Sequence, residues 1–272
     1  KKGYDFLVEG NSFNDLDAPL KLGVGKNMVT AIRFWAKCFQ LMDENQVPTT
    51  LAKKLFADGG WDPYLEDEGT LWLLHYMLIT SGNASTFEII FNELLKERPE
   101  ITQEHYLNYI NLRKDGVYNQ NTLKKDFTVF YRTYYADFKA SDIEESFTGV
   151  LTELDLIKRV KKTSLGSDGK MKSTEVWVLN RGLRSSLPSE ILLYSILKEH
   201  PNEVSISFEQ LYAGKNEPGS LFAFNKEGLA AALEDVVKKY PDITYSNDCG
   251  SRELQLKKSF KPEDILKSYY AK

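Results

Sequence analysis

Asp62, Glu66 and Asp67 form the one dense carboxylate cluster that lies close in sequence to a histidine, His75. Carboxylates hold hard divalent cations, and a bound cation activates water and stabilises charge building on a phosphoryl group. The chemistry this set could support is therefore metal-dependent cleavage of a phosphodiester, with Mg²⁺ or Mn²⁺ as the expected ion. The spacing matches no established metal motif. The competing expectation is structural: an acid at the positive N-terminus of the next helix, and a histidine satisfied inside a bundle. Other chemistries are poorly served. His105 and His200 lie in separate segments, and neither Cys38 nor Cys249 has a histidine nearby in sequence for a nucleophilic pair. Gly23-Val24-Gly25-Lys26 is followed by Asn27 where a nucleotide-binding loop needs Ser or Thr, which argues against a nucleoside triphosphate site. The same turn suits a nucleic-acid phosphate, held by backbone amides and Lys26 at a helix N-terminus.

A second set of residues points to polyanion binding. Lys26, Thr30, Arg33, Lys37 and Gln40 follow one another at spacings of four, three, four and three, which places them on one helical stripe free of acids. Most other positions of this segment are apolar, including Val29, Ile32, Phe34, Trp35, Cys38 and Met42. The pattern predicts a continuous helix over 29–42, preceded by the Gly23/Gly25 turn and capped by Asn27, in the position of a helix-turn-helix recognition helix. Further along, Lys158, Arg159, Lys161, Lys162, Lys170 and Lys172 lie in a predicted hairpin whose turn is Gly166-Ser167-Asp168-Gly169. The segment before it, 141–155, reads as a helix capped by Ser141 and rich in Asp and Glu. Phosphates would repel that helix, so only the hairpin is expected to touch a nucleic-acid backbone.

These residues must be positioned by a mainly α chain with small β-hairpins. The expected architecture is α+β, with several winged-helix units joined by a helical bundle. Residues 1–60 are read as an N-terminal winged-helix-like unit. A helical middle spans 61–140, with Thr70 as cap of its most apolar helix. A central winged helix with the basic wing spans 141–186, and a further winged-helix-like domain spans 187–272, opening on a helix capped by Ser189. The 272 residues suffice for two or three cores. The net charge of -4 confines any nucleic-acid contact to local patches. Two distant cysteines fit a reducing cytoplasm, and the apolar run around 71–79 is too short to span a bilayer.

Several blocks carry a family resemblance. Lys1-Lys2-Gly3-Tyr4-Asp5, residues 22–29, Ala31-Ile32-Arg33-Phe34-Trp35, Asp62-Pro63-Tyr64-Leu65-Glu66-Asp67 and residues 69–75 together resemble the SspB-like family, long described only as a domain of unknown function. Thr122-Leu123-Lys124-Lys125-Asp126 and residues 151–157 fit the same pattern. The resemblance covers most of the chain, and the C-terminal third matches in plan alone. Members of this family accompany DNA phosphorothioation and phage-defence systems beside a sulfur-transfer partner similar to phosphoadenosine-phosphosulfate reductase. The resemblance implies a component that nicks or engages DNA at modification sites, and it assigns no catalytic set. It also implies a Gly-His-Glu-Thr-Phe segment ahead of Lys1, which is outside this numbering, so the chain is expected to begin downstream of its natural start.

The combined expectation is a cytoplasmic DNA-binding protein whose partners are double-stranded DNA, the sulfur-transfer proteins and a second copy of itself. Two alternatives stand beside strand nicking. One is a non-catalytic winged-helix regulator. The other is a protein-interaction scaffold, favoured by the overall negative charge.

Overall fold

A computed structural model describes residues 1–113, 118–136, 149–165, 171–248 and 251–271. The chain is a mixture of helices and two small antiparallel sheets, and it divides into two compact units, Lys1–Ser85 and Thr86–Lys272. The division falls inside the expected helical middle.

The first unit holds α1 (Lys2–Val8), α2 (Ala18–Leu22), α3 (Lys26–Cys38), α4 (Thr50–Phe56) and α5 (Glu68–Thr80). Phe6, Phe13, Ala18, Leu22, Val29 and Met42 make its first core, with Ile32 and Ala36 packed against them. Gly23 ends α2 at φ 63°, a left-handed conformation that a side chain would disfavour, and the chain turns at once into α3. Two expectations for α3 are corrected. The helix starts at Lys26 with Gly25 as its N-cap, so Asn27 lies within the first turn. It ends at Cys38, because Gln40 adopts φ 54° and turns the chain into a short extended return. That return makes a single bridge, Met42 to Pro48, and no two-stranded wing is present there among the described residues. α3 is also less buried than its composition suggests. Val29, Ile32 and Ala36 face the core, whereas Met28 is 54% and Phe34 44% exposed. α5, by contrast, is buried from Gly69 to Ile79 on every face.

The second unit begins with α6 (Ser85–Ile89), a π turn (Ile90–Leu94) and α7 (Leu95–Glu97). β1 (Glu100–Ile101), α8 (Gln103–Leu112), α9 (Gln120–Tyr134), a 3-10 turn (Thr152–Leu154), β2 (Ile157–Leu165) and β3 (Met171–Leu179) follow. The sheet order is β1-β3-β2. Ile101 pairs with Trp177, and Ile157 with Leu179. An aromatic cluster joins the three helices of this module. The rings of Phe87 and Phe130 are 5.6 Å apart, those of Phe91 and Tyr134 5.4 Å, and those of Tyr106 and Phe127 5.5 Å. Tyr131 stacks on Trp177 at 4.1 Å and 11°, fastening α9 to the sheet.

The same order of elements returns with α10 (Ser189–Glu199), β4 (Ser205–Ser207), α11 (Phe208–Ala213), α12 (Pro218–Leu221), α13 (Lys226–Lys239), β5 (Ile243–Asp248) and β6 (Ser251–Leu256), closed by α14 (Pro262–Tyr270). The sheet order is β4-β6-β5. Apart from the inserted α12, helix, strand, helix, helix, strand, strand therefore occurs twice with one sheet topology. Asn225 caps α13, its Oδ1 accepting from the Gly228 amide at 2.7 Å. Pro188, and not Ser189, stands at the N-cap of α10.

The expected acidic helix over 141–155 meets two outcomes. Residues 141–148 lie outside the described residues, and Thr152–Leu154 forms one 3-10 turn. Among the described helices it is α9, with its inward Leu123, Phe127, Phe130 and Tyr134, that precedes and packs with the hairpin.

Part-buried polar contacts tie the two modules of this unit together, and a buried histidine pair braces the second. Asn92 and Asn216 exchange hydrogen bonds at 2.9 and 2.8 Å, and Lys96 donates to the Gly214 carbonyl at 2.6 Å. His200, 5% exposed, holds Glu217 through Nε2 at 2.7 Å, and its Nδ1 lies 3.0 Å from Glu203. The hydrogen bond to Glu217 raises the His200 pKa from 6.5 to about 9. A folded pKa above the unfolded value means that the pair's contribution is complete below about pH 6.5 and is lost as pH rises through about 9. Urea unfolding of the wild type is expected to show a loss on the order of 3 kcal/mol across that window. The loss should be absent from His200→Gln, and equal pH dependence in the two proteins would contradict the assignment.

Candidate nucleic-acid interface

The acidic loop is held by its own carboxylates. Asp62 is 6% exposed, and its Oδ1 and Oδ2 accept the amides of Glu66 at 2.9 Å and Asp67 at 3.1 Å. Asp67 Oδ1 accepts from the amides of Gly69 at 2.8 Å and Thr70 at 3.3 Å, which makes Asp67 the N-cap of α5 in place of Thr70. Glu66 is exposed. His75 is fully buried within α5, its ring edge-on to Trp72 with centroids 6.3 Å apart. The four residues expected to act together are thus divided between loop closure, helix capping, solvent and core. Among the described residues no group of three or more His, Cys, Asp or Glu side chains is placed to hold a metal ion. With their oxygens turned to backbone amides, Asp62 and Asp67 do not fit a divalent-cation site.

The stripe on α3 is only partly free. Lys26, Asn27, Thr30 and Arg33 are exposed. Thr30 Oγ1 donates back to the Lys26 carbonyl at 3.2 Å, and Arg33 donates to Asn14 Oδ1 at 2.7 Å. Lys37 pairs with Glu44 at 2.7 Å, so an acid does reach the stripe, from the turn beyond the helix. Gln40 leaves it altogether. Beyond the helix end, its Nε2 donates to the Met77 carbonyl at 3.0 Å and to Thr80 Oγ1 at 3.4 Å, which makes it a structural tie to α5. Along the chain nothing signals these partners, because Asn14 and Glu44 arrive from the lead-in and from a polar break.

The hairpin keeps its bases in ladder register. Lys158 lies 3.5 Å from Asp155, Arg159 3.6 Å from Glu175, and Lys162 2.5 Å from Glu100. Arg159 also sits over the Tyr135 ring at 5.1 Å. Lys161 is exposed and makes no ion pair among the described residues. Lys170 and the side chain of Lys172 lie outside the described residues. Exposed ion pairs of this kind contribute little to stability and can be exchanged for phosphate contacts at little cost. Tyr131, Tyr134 and Tyr135 serve packing: Tyr134 is buried, and the other two contact Trp177.

The family model for DUF4007, a protein family of unknown function, matches residues 1–270. This chain belongs to the DUF4007 family. A crystal structure of SspB resembles this DUF4007 chain with a TM-score of 0.79 and 27% sequence identity, covering 100% of this chain and 85% of SspB. A magnesium-ion-bound crystal structure of SspB gives a TM-score of 0.78 and 26% identity with the same coverage. No curated protein matches the sequence. No helix among the described residues is long and apolar enough to cross a membrane.

The geometry of the acidic loop makes a direct prediction for this DUF4007 protein. Asp67→Ala removes an N-cap and is expected to lower stability by about 1 kcal/mol, while Asp67→Ser retains most of it. Asp62→Ala leaves two backbone amides without their acceptor and is expected to cost more, roughly 1–3 kcal/mol. Urea unfolding followed by circular dichroism measures both, and unchanged midpoints would leave these carboxylates without a structural role.

Proposed function

We propose that this DUF4007 protein is the component of a DNA phosphorothioation or phage-defence system that engages duplex DNA, using winged-helix modules and the basic β2–β3 hairpin. The observation that carries this reading is the repeated helix, strand, helix, helix, strand, strand order with the third strand central in both sheets. In such a module the last helix before the hairpin is presented as a convex ridge, and the hairpin stands beside it as a wing. Lys158, Arg159, Lys161 and Lys162 lie on one strand of that wing, Lys158 and Lys162 on one face and Arg159 and Lys161 on the other, where they concentrate positive charge for a phosphate backbone. The family resemblance supplies the phosphorothioation context and the expected partners, a sulfur-transfer protein similar to phosphoadenosine-phosphosulfate reductase and a second copy of this chain. The α3 stripe is retained in a reduced form, as Lys26, Asn27, Thr30 and Arg33.

A second reading is strand nicking supported by Mg²⁺ or Mn²⁺. It is favoured by the magnesium-bound state of a relative that shares this fold. Asp62, Glu66, Asp67 and His75 are the residues to test for it, although the two aspartates accept backbone amides here, Glu66 is exposed and His75 is buried in the core.

Fluorescence anisotropy with a labelled duplex at several salt concentrations tests the main reading. The wild type should bind with a steep salt dependence, and Lys161→Ala/Lys162→Ala should weaken binding and reduce the slope of log K against log salt by about 2. Absence of salt-sensitive binding by the wild type would overturn it. For the second reading, supercoiled plasmid is incubated with protein and Mg²⁺ or Mn²⁺. Conversion to open circle that is lost in Asp62→Asn, yet with stability retained, would support nicking at the acidic loop. Conversion untouched by substitution at all four residues would move the chemistry elsewhere.

A further inference from the structure

α9 presents a face that neither the hairpin nor the α3 stripe accounts for. Its inward side is Leu123, Phe127, Phe130, Thr133 and Tyr134. Its outward side carries Asn121, Lys124, Lys125 and Arg132, all exposed, with Thr128 half-buried and Val129 42% exposed between them. These fall into two adjacent rows, Asn121-Lys124-Thr128 and Lys125-Val129-Arg132, each at helical spacing. The helix has one acid, Asp126, which lies on the flank turned toward the core, where desolvation pushes its carboxyl pKa up. Lys124, Lys125 and Arg132 make no ion pair among the described residues.

The equivalent helix of the second module is unlike it. α13 exposes Glu227, Glu234 and Asp235. Its lysines are already engaged, Lys226 with Glu209 at 2.9 Å, Lys238 with Asp235 at 2.8 Å and Lys239 with Glu190 at 3.1 Å. Two helices share one place in one topology, yet of the two only α9 has positive charge without an acid partner among the described residues. On α3, Lys37 is neutralised by Glu44 and Arg33 donates to the neutral Asn14, so Lys26 and Arg33 keep their charge there.

Resting on the DNA-binding reading above, we infer that α9 is the helix that enters the major groove of duplex DNA. Asn121, Lys124 and Thr128 meet base edges, and Lys125 and Arg132 meet phosphates. The dimensions agree. From Asn121 to Arg132 the helix rises about 16 Å, and the major groove, about 12 Å wide, admits one helix. Asn119 caps the helix through Oδ1, accepting from the amides of Asn121 and Thr122, so the N-terminal turn that meets base edges in helix-turn-helix proteins is rigid. Asparagine matches the donor and acceptor pair of adenine, and lysine the two acceptors of guanine. The C-terminal end of α9 is fixed to the wing by the Tyr131–Trp177 stack and by Arg159 over Tyr135. Helix and hairpin base are therefore in direct contact. An acidic protein partner is the rival occupant, but the mix of amide, hydroxyl and cation on two rows suits base edges better than a smooth run of carboxylates.

The test compares three proteins in the anisotropy assay: wild type, Lys124→Ala/Lys125→Ala/Arg132→Ala, and Lys226→Ala/Lys238→Ala on α13. Loss of about 10- to 100-fold in affinity and a slope reduced by two to three in the α9 variant, with a small change in the α13 variant, is the expected result. Lys124→Arg/Lys125→Arg should keep binding. Unchanged affinity of a folded α9 variant overturns the inference and leaves the function standing on the wing or α3, whereas a wild type that binds no duplex overturns both. Lysine acetylation footprinting of the wild-type protein serves if the triple variant does not fold. Duplex DNA should then protect Lys124 and Lys125 and leave Lys226 and Lys238 reactive, and no protection at Lys124 and Lys125 overturns the inference. Polyglutamate of matched charge should compete poorly, and competition as strong as that of duplex DNA would assign the face to acidic proteins.

Discussion

The pairing of a two-residue strand organises most of the second unit. Glu100 and Ile101 lie against Val178 and Trp177, and this short contact makes β3 the middle strand of a three-stranded sheet. A two-stranded hairpin alone is only marginally stable in water. With β1 on one side and β2 on the other, β3 holds Trp177 at a fixed place, and Tyr131 of α9 stacks on it. That stack ties the helix to the sheet. Without that anchorage the charges on α9 and on β2 would have no defined relation to each other.

Charge in this protein is compensated in places. The chain carries a net charge of -4, and several of its bases are paired with acids, some of them brought in by tertiary structure. Surface pairs of this kind are weak, so their main effect is on the local field and not on stability. Where pairing fails, as along the outer face of α9 and at Lys161, a polyanion meets positive charge. A protein of this composition can bind nucleic acid locally without binding it everywhere, because an excess of acid over the rest of the surface repels nonspecific approach.

The two modules of the second unit have diverged on one scaffold. Both centre their sheets in the same way, and they are joined by the contacts of Asn92 with Asn216 and of Lys96 with the Gly214 carbonyl. Their outer helix faces differ, α9 basic and α13 balanced, with its lysines paired to acids. The fold therefore says little about binding, and the residues on one face of one helix say most of it.

Much of the local structure was legible in the sequence. The helix that opens near residue 189, the hairpin at 157–179 and the most apolar helix, α5, follow from periodicity, turn residues and capping chemistry, which act over a few neighbouring residues. Family membership was legible too, from blocks such as residues 22–29 and 62–67, matched now over residues 1–270. Other features depended on distant partners. The end of α3 at Cys38 follows from a left-handed Gln40 whose side chain is bound to α5, and the freedom of Lys37 is cancelled by Glu44. Asp62 and Asp67 look catalytic by type, but their geometry turns them to backbone amides. A strand of two residues such as β1 has no periodicity to detect, although it makes β3 the central strand. Sequence thus determined what each segment is, because propensity is local, while only the tertiary structure decided which charges remain uncompensated, because an ion pair forms between residues that the chain keeps far apart.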